Sequence, residues 1–367
     1  MSFLKRLFGS KEKVDITNNE TFWQWFNINE KKLHRALKEH NNVEEDFLDK
    51  IMPRLQGLNE NFYCLAGMFD DQTAELIVTA EGDVKSIVFV EELIAQSPQL
   101  PNWKFTALKP AVGLDNSNIK MNGFYFNKET ISFVHNEKEG YPDEVEITIV
   151  HKDYNEEDKN TIINGSYIFL DNFLGELNTA TLIDSIVVTG PDYEDGELIS
   201  IEKLPDYLTW REKEFIEKYE GVRYNTDEDN YAVLEAETEQ GLPMIAAINQ
   251  DLLSWDAKPS HPWMLKVKIE YDGENNNGLP SGESYAIMNE FEDELVKSIP
   301  DYEGYLNIGR ESYNNVRSIY IACKEFRIVS KRTKELVNKY SNKLKISYDL
   351  FKDKYWISVE KFIHQPE

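Results

Sequence analysis

Glu290, Asp293 and Glu294 stand at i, i+3 and i+4, so a helix through them puts three carboxylates on one face. Such a face has the oxygen donors that a hard cation takes. A solvated helix face accounts for the same spacing, because no helical His or second carboxylate pair is placed to complete a site. Arg310 and Arg317 flank the tip of an expected hairpin in an otherwise acidic chain. Guanidinium groups form planar, bidentate pairs, so the two can organise a carboxylate or a partner contact. The alternative is an internal salt bridge to the 290–294 helix. Arg310, Arg317, Glu290, Glu292, Asp293 and Glu294 are therefore the candidate partner-binding residues.

Other chemistry finds less support. Asp192, Glu194, Asp195 and Glu197, and then Asp227, Glu228 and Asp229, fall in loops and match no calcium-loop spacing. The six histidines, at 34, 40, 135, 151, 261 and 364, form no His-x-x-x-His pair, so zinc is not expected. His135 and His151 end adjacent expected strands and would have to meet in space to matter. Cys64 and Cys323, the two cysteines, sit in apolar runs and read as buried free thiols rather than nucleophiles or a disulfide. No nucleophile elbow, phosphate loop or dinucleotide fingerprint occurs. No catalytic residue, metal or cofactor is expected.

The charge balance bears on partners. Sixty-six acidic residues face 40 basic ones, a formal net charge of −26. That field repels phosphates and anionic lipid headgroups, which argues against direct nucleic-acid binding and favours a basic partner. Simple solubility is the other use of such acidity. No apolar run is long enough for a membrane span, and the interrupted start at Met1–Gly9 does not read as a signal peptide. A cytoplasmic location is the resulting expectation.

These residues need elements to position them. The 367-residue length suggests more than one domain. Residues 1–18 read as a flexible segment and 19–220 as an α+β domain, with a helical part at 19–57 and an α+β part at 58–200. Residues 222–367 read as a separate domain. Phe22, Trp25, Phe26, Leu33 and Leu37, then Phe47, Ile51 and Leu55, recur at helical spacing. A hairpin over 62–80, a helix over Val84–Ala95 and a strand from Trp103 follow. Strands are expected at Gly123–Phe126, Ile131–His135 and Val145–His151. Ile163, Tyr167, Leu170, Leu174 and Leu177 then form a buried helical stripe. After a hairpin over 231–249 come strand, helix, hairpin, helix and strand, with a further strand at Tyr355–Ile363. The β-α-β-β-α-β order is the ferredoxin-like pattern.

The run 231–363 resembles the bacterial domain of unknown function 695 family. The resemblance rests on Ile248-Asn249, Asn277-Gly278-Leu279-Pro280, the acidic 290–294 helix, Gly309-Arg310 with Arg317 and Tyr320, and Tyr355-Trp356. Asn314-Asn315 departs from the glycine expected at the hairpin turn. The resemblance implies a fold related to bacterial regulators that bind and inhibit ribonuclease E, and no established activity.

The expected fold is α+β, with ferredoxin-like α/β sandwich layers in both halves and mostly antiparallel sheets. The leading functional expectation is a non-enzymatic regulatory module whose acidic surface engages a basic protein, such as a nuclease or toxin. A metal-dependent hydrolase using loop or helix carboxylates and a non-catalytic scaffold are the alternatives.

Overall fold

The computed structural model describes residues 16–40, 42–193, 196–238 and 241–363. The readings made for residues 1–15, Asn41, Glu194, Asp195, Glu239, Gln240 and His364 lie outside the described residues. The fold is α+β with mostly antiparallel sheets. The chain divides into two compact units. One runs to Pro110 and includes Gly175–Leu177; the other takes Ala111–Leu174 and everything from Asn178. The join expected near residue 220 falls inside the second unit.

In the first unit, α1 (Asn19–Lys38) begins with a capping box between Asn18 and Thr21. Its stripe of Phe22, Trp25, Phe26, Leu33 and Leu37 is buried, as the spacing requires. A single π-helical stretch, Glu44–Leu48, leads into α2 (Asp49–Leu58), which tolerates Pro53. Next come β1 (Tyr63–Met68), β2 (Ala74–Thr79), α3 (Val84–Ala95) and β3 (Trp103–Ala107). β1 and β2 form the expected hairpin, and β3 returns parallel to β2. The buried carboxylate of Glu176 is fully occupied. It accepts from Thr79 Oγ1 at 2.6 Å and from the backbone N–H groups of Ala80, Gly82 and Lys109 at 3.0–3.1 Å.

The second unit opens with a short hairpin, β4 (Ile119–Met121) and β5 (Phe124–Phe126). Then β6 (Ile131–Asn136) and β7 (Glu146–His151) pair antiparallel. Helices α4 (Lys159–Leu174) and α5 (Glu176–Leu182) lead to β8 (Ser185–Thr189), which lies parallel to β7. This repeats the hairpin–helix–strand plan of the first unit. The complete ferredoxin-like order is confined to the C-terminal third. The buried face of α4 also differs from the expected stripe. It keeps Leu170 and Leu174 of that stripe but adds Ile162, Gly165, Phe169 and Phe173, while Tyr167 is exposed. The reason is Gly165: the Phe126 ring sits where a Cβ would be, so the helix turns its glycine inward. An apolar periodicity count passes over that residue.

After β9 (Ile199–Ser200) and α6 (Leu204–Tyr219) comes hairpin β10 (Tyr231–Glu237) and β11 (Pro243–Asn249). Short α7 (Gln250–Leu253), β12 (Trp263–Glu270), α8 (Gly282–Ser298), β13 (Tyr305–Tyr313), β14 (Val316–Cys323), α9 (Arg327–Tyr340) and β15 (Lys345–Lys352) complete the chain. The sheet order is β10-β11-β13-β14-β12-β15. The last four positions reproduce the ferredoxin-like arrangement, and the β10–β11 hairpin extends it at one edge. The expected closing strand at 355–363 is instead a 3-10 turn, Ile357–Phe362. The Asp353 carboxylate accepts from Ile357 N and Ser358 N, and Trp356 turns left-handed, so the chain curls under the sheet.

The β13–β14 turn explains the missing glycine. Asn314 and Asn315 both have positive φ, the geometry of a type I′ turn, which Asn tolerates. Asn315 Oδ1 also accepts from Gly273 N at 3.0 Å, and its own N–H donates to Gly278 O at 2.9 Å. The Asn277-Gly278 entry, left-handed at both residues, is thereby latched to the hairpin tip.

Candidate functional site

Gly309 decides where the candidate arginines point. A β-bulge falls between Asn307 and Gly309 where β13 pairs with β14. Gly309 has φ +141, and a Cβ there would collide with the Ala247 carbonyl. One extra residue in a strand inverts the side-chain alternation beyond it. Before the bulge, Leu306 and Ile308 enter the core beneath the sheet, with Trp356 and Phe362. Beyond it, Arg310 and Ser312 point to the opposite, helix-bearing face.

On that face Arg310 and Arg317 converge on one carboxylate. Glu292 of α8 accepts from Arg310 Nη1 at 2.7 Å and stands 3.4 Å from Arg317 Nη1. Arg317, 1% exposed, also donates to Asn289 Oδ1 at 2.7 Å and Ser312 Oγ at 3.3 Å. Its guanidinium lies 5.2 Å from the Tyr285 ring. Burial lowers the pKa of Arg317 against the pull of Glu292. At Arg310 burial acts the same way, but the closer Glu292 contact outweighs it and the pKa is raised. Both remain cations, and the triad is held as a structural unit.

The acidic helix is thus split. Glu292, expected among the exposed partner-binding residues, is instead buried and looks inward, within reach of both arginines. Glu290 and Asp293 are exposed. Glu294 pairs with Lys339 at 2.6 Å, which holds its carboxyl below the usual range. Among the described residues no group of three His, Cys, Asp or Glu is placed to hold a metal ion. His135 and His151 do not meet: they pair with Ile147 and Ile131, at opposite ends of the β6–β7 ladder. Burial pushes the Cys64 thiol up to about 12 and raises that of Cys323.

Beside the triad the sheet outruns its helices. Tyr231, Val233 and Ile245 of the β10–β11 hairpin are 53%, 69% and 38% exposed. Strand β10 pairs only with β11 among the described residues. The hydrogen bonds Thr238 N to Leu242 O and Gln250 N to Asn230 O set the ladder phase. Even-numbered residues of β10 therefore bond to β11, and Tyr231, Val233, Glu235 and Glu237 aim backbone N–H and C=O groups outward. Sequence reading recovers the hairpin but not this edge. The signal is the alternation of two exposed apolar residues and then two acids along one face.

Residues 236–363 match a family described as "Family of unknown function (DUF695)". The DUF695 match begins within β10 and ends just past the 3-10 turn, so Arg310, Arg317 and Glu292 lie inside it. Residues upstream, including α6 and the β6–β7 loop, lie outside the DUF695 match. No curated protein and no solved structure matches the chain. No described helix is long and apolar enough to cross a membrane.

Proposed function

We propose that this chain is a non-catalytic protein-binding module that takes an extended, basic segment of a partner protein onto the free edge of β10. The carrying observation is the outward row of backbone groups at Tyr231, Val233, Glu235 and Glu237. Strand addition draws affinity from such main-chain groups and specificity from alternate side chains. No proline or bulge interrupts the edge at these positions, and the charges it carries, Glu235 and Glu237, are both acidic. Glu235 and Glu237, in a chain of net charge −26, favour a Lys- or Arg-rich strand over another acidic one. Inhibition of a basic enzyme, a nuclease or a toxin, is the regulatory form of this reading.

The test uses the register. Val233→Pro deletes an outward N–H and leaves the bonds to β11 in place. Extended basic peptides selected on the full chain should protect the Val233, Glu235 and Glu237 amides from hydrogen exchange and lose at least tenfold in affinity for V233P. Selected peptides that bind V233P unchanged, or the absence of any extended basic sequence among those selected, overturn strand addition.

A further inference from the structure

A cavity of about 700 Å³ lies between the β6–β7 loop and α6, within the size range of small-molecule sites. Its helix wall follows from spacing: Tyr207, Trp210 and Arg211 stand at i, i+3 and i+4, on one face of α6. The loop supplies Tyr141 and the acids Glu137, Glu139 and Glu144. Trp210 is 57% exposed, an aromatic surface that packing does not use.

The loop is held in place before any ligand arrives. Arg211 Nη2 donates to Pro142 O at 2.6 Å. The Asp143 carboxylate accepts from Lys218 Nζ at 2.7 Å, Tyr355 OH at 2.8 Å and Tyr219 OH at 2.9 Å. Tyr141 rests edge-on against Tyr355, ring centroids 4.9 Å apart. The cavity walls are therefore preorganised, which cuts the cost of binding.

The charges are not balanced. Lys138 is taken by Glu144 at 3.2 Å and Glu146 at 3.6 Å, and Arg211 by Glu214 at 3.1 Å. Among the described residues Glu137 and Glu139 have no ion-pair partner. Burial pushes the Glu144 carboxyl up despite Lys138, so a further cation beside it is favoured. The aromatic faces agree with that sign, because the ring quadrupole attracts cations. Lys138 already lies 4.2 Å from the Tyr141 ring centre and Arg211 5.7 Å from that of Trp210.

We infer that this cavity is a recognition site for an organic cation, a guanidinium or alkylammonium group seated against Trp210 and Tyr207 and neutralised by Glu137 and Glu139. The group comes either from a free polyamine or from an Arg or Lys side chain of a protein. No residue of the cavity belongs to β10 or β11, so it stands or falls apart from strand addition.

Isothermal titration of the full chain with spermidine, and separately with a hexa-arginine peptide, tests the site. Saturable one-to-one binding is expected for at least one probe, weakened tenfold or more by Trp210→Ala and by the Glu137→Gln/Glu139→Gln pair. All three positions are exposed, so the fold should survive these changes. Spermidine binding alone assigns a free amine; peptide binding alone assigns a protein side chain. Loss through W210A with V233P unaffected separates this site from the β10 edge. Binding by neither probe, or non-saturating binding that W210A leaves unchanged, overturns the inference.

Discussion

Arg310 Nη1 and Glu292 Oε1 lie 2.7 Å apart, joining the strand beyond the bulge to the helix that covers it. Arg317, almost without solvent, leans on the same carboxylate. Removing one partner from a buried ion pair strands the other charge, at a cost of roughly 3–5 kcal/mol. Glu292→Gln should therefore lower the free energy of unfolding by about that amount. Glu290→Gln and Asp293→Asn, on the exposed side, should change it by less than about 0.5 kcal/mol. Urea denaturation of the three variants separates them. A Glu292→Gln variant as stable as the exposed ones would mean that the triad does not hold the helix to the sheet.

That split marks how far the sequence could be read. Spacing and charge left Arg310 and Arg317 open between a partner contact and a salt bridge to the 290–294 helix, and the structure forms the salt bridge. They did not say which glutamate turns inward, because helical phase within a run of four acidic residues and one Phe depends on where α8 rests on the sheet. The βαββαβ order was legible because each element carries its own periodicity. The bulge at Gly309 was less so: an isolated glycine inside a strand often marks one, but the sequence leaves open whether it marks a bulge or only a close backbone approach. The cavity was the least legible feature. Tyr141 and Trp210 are far apart in sequence, and only the return of α6 past the β6–β7 loop brings them together.

Asn315 offers a test of turn chemistry against a side-chain latch. Glycine suits a positive φ better than asparagine does, so turn preference alone predicts that Asn315→Gly is neutral or stabilising. The Oδ1 bond to Gly273 N argues the opposite. Losing it leaves a half-buried backbone donor unpaired, at a cost of about 1–2 kcal/mol. The expected outcome is a net loss, together with faster hydrogen exchange at Gly273. A more stable N315G variant would show that the latch contributes less than the turn.

His261 sets an acid limit. Buried beside Ser260, whose Oγ lies 2.9 Å from its Nδ1, its pKa is lowered to about 4 from 6.5, chiefly by burial and then by Lys324 and Arg223. Between those values the unfolded chain takes up a proton that the folded chain refuses, so stability falls as pH falls. His151, also lowered by burial, adds to the same slope. Glu144, raised by burial, works against it, while the lowered Asp143 and Asp184 act mainly below pH 4. From pH 6.5 to 4.5 the His261 contribution is about 2–3 kcal/mol. His261→Gln should flatten the fall in unfolding free energy by that amount. Parallel slopes for the variant and the parent would place the acid sensitivity elsewhere.

The C-terminal sheet and its two helices form a complete layer, yet their outer end is tied to residues far upstream. Asp184 accepts from Lys354 Nζ at 2.7 Å and lies 3.0 Å from Lys352 Nζ, while Tyr355 OH donates to Asp143. Burial lowers Lys352 to about 8, with Asp184 opposing and Lys354 adding to the fall. The unfolded chain therefore holds a proton that folded Lys352 gives up, and Lys352 adds stability as pH rises above about 8, against the thiols of Cys64 and Cys323 and the tyrosines, whose raised pKa values work the other way. A fragment of residues 222–367 keeps all six strands, α8 and α9 and loses both aspartates. It should melt cooperatively, because no strand pairing of the sheet is cut. Released from its burial, Lys352 should titrate nearer the ordinary lysine value, and its share of the rise in stability above pH 8 should vanish. Near-ultraviolet circular dichroism and the titration of the Lys352 Cε resonance report the two outcomes. Non-cooperative melting of the fragment would mean that the segment from Ala111 to Glu220 folds as one body with the sheet, in keeping with the division of the chain at Pro110.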